Sequence, residues 1–224
     1  MSNPLALSSA YSVKIETLHI SGHDFRIRSL KNRQQFNDDD GAAERAGISS
    51  ASWPIFGQLW PCGQILAQIM RTFPTGNKRI LEVGCGMALS SLVLQQRGSN
   101  ISACDYHPEA RHFLTENMHL NALADIDFHQ TDWNDINAAL GKFDLIIGSD
   151  ILYEAEHAGL LSAFIQRHAE HSAEVIIVDP NRGHNARFSK KMVDVGYQFD
   201  TLELNLGNTD GLVAKGRVLS YQRY

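Results

Sequence analysis

The run ILEVGCGMALS, residues 80–90, sets a carboxylate and two glycines at the spacing acidic-x-G-x-G. Residues 79–83 read as a short apolar strand and 88–96 as a helix, so Gly84, Cys85 and Gly86 fall in the turn between them. Glycine permits a tight turn and close approach of a ligand to the backbone, and a helix N-terminus behind it favours polar or anionic groups. Asp105 closes the next apolar run, residues 101–104. A carboxylate there can accept hydrogen bonds from both hydroxyls of a ribose. As a dinucleotide fingerprint the run is poor, because Leu89 stands where the third glycine or alanine of G-x-G-x-x-G belongs. As acidic-x-G-x-G-x-small it fits, with Glu82, Gly84, Gly86 and Ala88. The plain alternative is a glycine-rich packing turn with a helix-capping Asp.

The elements around this turn explain how it is positioned. Residues 143–147 and 175–178 are near-continuous apolar runs, as expected of strands buried on both faces. Residue 126–128 is a weaker strand, and 198–205 and 217–221 complete the set. Helices are predicted at 108–120, with Pro108 in the first turn, around Leu160–Ile165, and at 188–195. Strands alternating with helices predict an α/β fold with a doubly wound parallel sheet, its ligand beyond the strands' carboxyl ends. Upstream, Val13, Ile15, Leu18, Ile20, Phe25 and Ile27 alternate about Ser21-Gly22-His23-Asp24, which predicts a β-hairpin. Residues 37–52 are polar, acidic and small, and read as a mobile connection without apolar anchors. Trp60-Pro61 then opens a helix whose apolar spacing runs to Phe73.

Composition narrows the classes. The chain has 224 residues, 43% of them hydrophobic, enough for one sizeable core. A net charge of −5 gives no global field for nucleic acid, so no nucleic-acid partner is expected. The opening MSNPLALSSA lacks a basic apolar leader, and apolar runs fall short of a membrane helix, so a cytoplasmic location without membrane association is expected. Three cysteines at unrelated spacings indicate neither zinc nor disulfides. His168 and His171 read as a solvated helix face, and no metal is expected.

Taken together, the chain resembles the class I S-adenosylmethionine-dependent methyltransferases over residues 53–224, with 1–52 as an N-terminal hairpin and connection. The resemblance implies a Rossmann-like seven-stranded sheet, mostly parallel with an antiparallel last strand. It also implies S-adenosyl-L-methionine as cofactor. Asp132-Trp133 matches the place where such enzymes hold adenine, the carboxylate accepting from the exocyclic amine and the indole lying on the purine. A turn Asp beside a core Trp is the alternative. FDLIIGSDILYE, residues 143–154, places Asp150-x-x-Tyr153 at a strand end. With Trp60-Pro61 and the hairpin, this looks like the seven-β-strand protein-lysine methyltransferases. Carried over, Trp60, Glu82, Gly84, Cys85, Gly86, Asp105, Asp132, Trp133 and Ser149 would border the cofactor. Asp150 and Tyr153 would face the acceptor, Asp150 as an exposed carboxylate orienting a lysine of a protein substrate; a strand-end cap and a half-buried aromatic are the alternative. Adenine-N6 and cytosine-C5 chemistry lack their motifs here. A small-molecule N- or O-methyltransferase would share the cofactor half; a nicotinamide-dependent oxidoreductase or a nucleotide-binding module fits the turn less well. Asn181-Arg182-Gly183-His184 follows the 175–178 strand, either as a contact to an acidic substrate patch or as a plain turn.

Overall fold

Alternation within the strands decides the architecture. In the computed structural model, which describes residues 11–32, 38–39, 41–50, 52–206 and 214–224, seven strands form one sheet. They are β3 (Arg79–Val83), β4 (Asn100–Asp105), β5 (Asp127–Gln130), β6 (Phe143–Ser149), β7 (Ala169–Asp179), β8 (Gln198–Leu206) and β9 (Ala214–Arg223). Their order is β5-β4-β3-β6-β7-β9-β8. The first five are parallel, and β9 runs antiparallel to both its neighbours. Successive side chains point to opposite faces. Ile80, Leu145, Ile147, Ile176 and Val178 therefore meet α2 (Pro61–Thr72), α3 (Leu89–Gln96) and α4 (Ala110–Leu120) in one core. Leu81, Ile146, Val175 and Ile177 meet α5 (His157–His168) and α6 (Asn185–Asp194) in the other. Both faces being covered explains why these strands carry continuous apolar runs.

The strand order reverses between β3 and β4 on one side and β6 on the other. That switch point opens a crevice beyond the carboxyl ends of the strands. Pro108 lies in the turn before α4, which begins only at Ala110, so it does not occupy the helix's first turn as expected. His168 is also not solvated. It ends α5 buried at 5% exposure, with Nδ1 3.1 Å from the carbonyl of Gly141, while His171 lies in β7.

The hairpin pairs β1 (Val13–Ile20) with β2 (His23–Leu30). Ser21 and Gly22 both take positive φ, 44° and 86°, the geometry a two-residue hairpin turn requires. The outer edge of β2 is met by α4. The side-chain amide of Asn117 bonds the N–H and C=O of Arg28 at 2.7 and 3.3 Å, and that of Asn121 bonds those of Arg26 at 2.8 Å each.

The connection from the hairpin departs from expectation. The expected lack of apolar anchors in 37–52 is wrong: Ala43 and Ile48 are buried in the first core. Asp38 accepts the N–H groups of Ala43 and Glu44 at 2.7 and 2.8 Å, starting the short helix α1 (Ala42–Arg45). Small polar residues concealed two anchors because neither forms a periodic pattern. Residues 1–10, including the opening segment, and residues 37, 40 and 51 of the connection lie outside the described residues.

Candidate active site

A cavity of about 390 Å³ occupies the crevice, and every site residue named from the sequence lines it. The two glycines serve it differently. Gly84, at φ 60°, carries no side chain because a Cβ would stand 2.8 Å from Cγ2 of Ile151. Gly86, at φ 51°, would direct a Cβ into open space with no atom within 4 Å. The first glycine admits the protein, and the second leaves room for a ligand. Ala88 is itself left-handed at φ 56°, a conformation that glycine would adopt more readily.

Asp105 ties this loop to the end of β4. Its Oδ2 accepts the N–H of Gly86 at 2.8 Å and its Oδ1 that of His107 at 2.9 Å. Each oxygen has a second lone pair for a further donor, which suits a pair of vicinal hydroxyls. Burial raises the carboxyl above its ordinary range, while the backbone donors pull it down. Glu82, 3% exposed, is committed in part to α3: its Oε2 accepts the N–H and hydroxyl of Ser91 at 2.9 and 2.5 Å. Burial pushes its pKa up to about 7. Cys85 is buried on the cavity wall, its thiol held well above the ordinary range by desolvation.

On the far wall, Trp133 is half-buried with its indole edge-on to His157 at 5.3 Å. Exposed Asp132 closes a turn by accepting the N–H of Asn134 at 3.0 Å. Trp60, N-terminal to α2, donates its indole N–H to the carbonyl of Ile55 at 3.1 Å. Ser149 ends β6, half-buried.

Asp150 follows in the left-handed region at φ 54°, and its N–H bonds the carbonyl of Val178 at 2.8 Å. Non-glycine residues held there store strain, which is common where a side chain is aimed at a site. Contrary to expectation, its carboxylate is not exposed. The side chain is 8% accessible, and both oxygens are taken by Arg182, Nε to Oδ1 at 2.8 Å and Nη2 to Oδ2 at 3.1 Å. Tyr153 places its hydroxyl 3.4 Å from that of Tyr106 and its ring edge-on to His157. Burial raises its phenol. A small side pocket, about 80 Å³, is lined by Ile55, Trp60, Asp150, Tyr153 and Arg182, all but Arg182 shared with the main cavity.

Sequence reasoning missed other lining residues. Tyr106 and His107 follow Asp105 directly, at a strand's carboxyl end, and that position was the available signal. His107 stacks on Phe56 with ring centroids 3.6 Å apart, and burial lowers its pKa to about 3, so the ring is neutral. Ile48, Ser49 and Ser52 close the cavity from the N-terminal side.

A profile of the family described as lysine methyltransferase matches residues 50–194. The chain belongs to the lysine methyltransferase family. Within and around this family, it is 33% identical over 152 residues to the electron transfer flavoprotein beta subunit lysine methyltransferase of Mus musculus. That match covers 64% of this chain and 59% of the mouse protein, so the chain spans about three-fifths of that relative's length. The ribosomal protein L11 methyltransferase of Campylobacter jejuni strain RM1221 is 26% identical, over 62% of this chain and 47% of its own. Among solved structures, the ribosomal protein L11 methylase of Lactobacillus delbrueckii subsp. bulgaricus superposes with a TM-score of 0.57 at 20% identity, covering 73% of this chain and 79% of that one. The T. thermophilus 16S rRNA N2 G1207 methyltransferase, in complex with AdoMet and guanosine, superposes at 0.65 and 17% identity, covering 95% of this chain and 51% of that one. At these identities the two structures show a shared fold alone.

Proposed function

We propose that the protein transfers a methyl group from S-adenosyl-L-methionine to the side-chain amine of a lysine in a protein substrate. The observation that carries this reading is the pairing of two chambers in a family member. A ligand-sized cavity has open space at Gly86 and a doubly anchored carboxylate at Asp105, and a narrow annex carries Asp150 and Tyr153. In this reading Gly86 and the neighbouring backbone admit the cofactor, Asp105 binds its ribose hydroxyls, and Asp132 and Trp133 hold its adenine. Glu82, Gly84, Cys85, Trp60 and Ser149 shape the chamber. Residues 53–224 form the transferase unit and 1–52 the hairpin and connection. When bound, the cofactor supplies a methyl group already activated by a sulfonium.

The chain's own contribution is alignment and management of a proton. Holding two reactants in line removes much of the entropic cost of their meeting. A lysine amine, with an unperturbed pKa of about 10.4, is neutral in only roughly one molecule in a few thousand at pH 7. Asp150 orients the incoming nitrogen, and the rings of Trp60 and Tyr153 wall its alkyl stem. The names of the relatives agree with a protein acceptor. No helix among the described residues is long and apolar enough to cross a membrane.

The test is incubation with methyl-labelled S-adenosylmethionine and a cell lysate, followed by mass spectrometry of the labelled bands. Label on a protein lysine is expected. Label confined to metabolites would convert the assignment to a small-molecule methyltransferase, and label on other residues would end the lysine reading.

A further inference from the structure

The side pocket is an unexpected place for an arginine. If its only task were to receive an ammonium, the carboxylate at its end would be best left unpaired. Instead Arg182 reaches in from the loop after β7 and takes one lone pair on each oxygen of Asp150. The loop is built to hold it there: Asp179, at the end of β7 and 1% exposed, accepts the N–H of Asn181 at 2.7 Å, and Asn181 bonds the side chain of Asn185 in α6 at 3.0 Å.

We propose that Arg182 sets the protonation state of the acceptor amine. By balancing the charge of Asp150 with a fixed cation, it weakens the charge attraction that would retain the proton of an incoming ammonium, while the second lone pair of each carboxylate oxygen stays free to orient the nitrogen. This rests on the lysine-acceptor reading above. The amine enters as R–NH3+, gives one proton to water, and is left as R–NH2 with its lone pair free for the reaction. A nearby positive charge disfavours the ammonium form, whereas an unpaired carboxylate would favour it.

The other charged and titratable groups around the pair fit this assignment. Asp179 is the second carboxylate felt by the pair, and burial raises its carboxyl toward the neutral form. Cys62, in the first turn of α2, is pushed up to about 12 by burial and by Asp150 and Asp179, so its thiol stays neutral. Tyr106 and Tyr153 keep their phenols protonated for the same reason of burial. Glu154 and Asp105 stand farther round Tyr153 and act on it from the main cavity. Arg182 is the cation that Asp150 and Asp179 share.

A purely structural arginine and this one are separable by experiment. Protein loaded with S-adenosylhomocysteine is titrated with n-butylammonium chloride, a lysine side chain without its backbone, and tryptophan emission is followed. Arg182→Met should bind the probe roughly two- to fivefold more tightly than the unaltered protein, the scale of a partly exposed ion pair. Arg182→Lys, which keeps the charge, should restore the weaker binding. Equal or weaker binding by Arg182→Met, or no binding by either protein, overturns the proposal. Should Arg182→Met fail to fold, Arg182→Gln carries the same comparison. Methyl transfer to a lysate protein pool gives the second readout: in Arg182→Met the half-saturating pool concentration and the turnover rate should both fall. The rise of turnover with pH should move up by about half a unit. An unmoved pH limb would also count as failure. If the unaltered protein labels no lysine at all, the functional reading fails, while the butylammonium titration still decides the role of Arg182.

Discussion

The two ends of the cavity are made in different ways. Around Gly86 the polar groups are fixed by backbone: Asp105 is gripped by two amides, Glu82 by the first turn of α3, and both sit at the ends of central parallel strands. Around Asp150 they are fixed by side chains from separate loops, with Arg182 crossing from the end of β7 and Tyr153 reaching Tyr106. A backbone-built end keeps its shape when one side chain is altered, since the strands hold it, and fails when the ligand's space is filled. A side-chain-built end can be retuned by single substitutions, which suits the half of an enzyme that must recognise different acceptors.

Substitutions at the two ends should therefore fail differently. The largest effect is expected from Gly86→Val. A β-branched residue at φ 51° is strained and would fill the open space, so calorimetry should detect no S-adenosylmethionine binding while circular dichroism shows the sheet intact. Tight binding by this variant would break the contrast. Glu82 comes next. Its folded pKa, about 7, lies above the ordinary 4.5, so the neutral form is the one favoured by folding. Its contribution is complete below pH 4.5 and is lost as pH rises through 7, roughly 3 kcal/mol in all. Urea melts should show Glu82→Gln losing less stability than the parent protein between pH 5 and 8.

At the other end, Asp150→Ala should leave cofactor binding nearly intact and cut methyl transfer by about 10²-fold, the scale for loss of an orienting or acid/base group. Tyr153→Phe should lose less. If Asp150→Ala weakens the cofactor as much as the acceptor, the two ends are not independent. The smallest effect concerns Trp133. Cofactor binding should alter tryptophan emission, and Trp133→Phe should remove most of that change, with Trp53 and Trp60 still present as internal references. An undiminished signal in Trp133→Phe would place the adenine elsewhere.

This contrast also explains what the sequence made legible. Strands buried on both faces advertise themselves as apolar runs, and residues 143–147 and 175–178 were readable for that reason. The glycine turn was readable because positive φ restricts which residues serve there, and Gly84 and Gly86 satisfy it. The Asp150–Arg182 pair joins residues 32 positions apart on different loops, and no local periodicity encodes such a pairing. The exposed Asp150 expected from the strand end was the direct result of that blindness. Ala43 and Ile48 were hidden similarly, as isolated anchors in a polar stretch. His168 looked solvated because its neighbour Gly141 is distant in sequence.

The docking of the hairpin has a metric side. Two residues of an extended strand advance roughly 6.6–6.8 Å, and four residues of a helix about 6.0 Å. Asn117 and Asn121 on α4 can therefore address Arg26 and Arg28 on β2 as if the helix were a short strand. The mismatch of under an ångström is tolerable for two amides and accumulates for a third, so the helix counts off one repeat of the strand and then stops. A slip by a single residue would turn the hydrogen-bonding groups away, and a slip by two toward the strand end would set Asn117 against Leu30, whose N–H is already bound to the carbonyl of Gly57. The hairpin is thus held by a vernier with two marks, which sets its longitudinal position on the body and also closes that edge of β2 to a strand from another molecule.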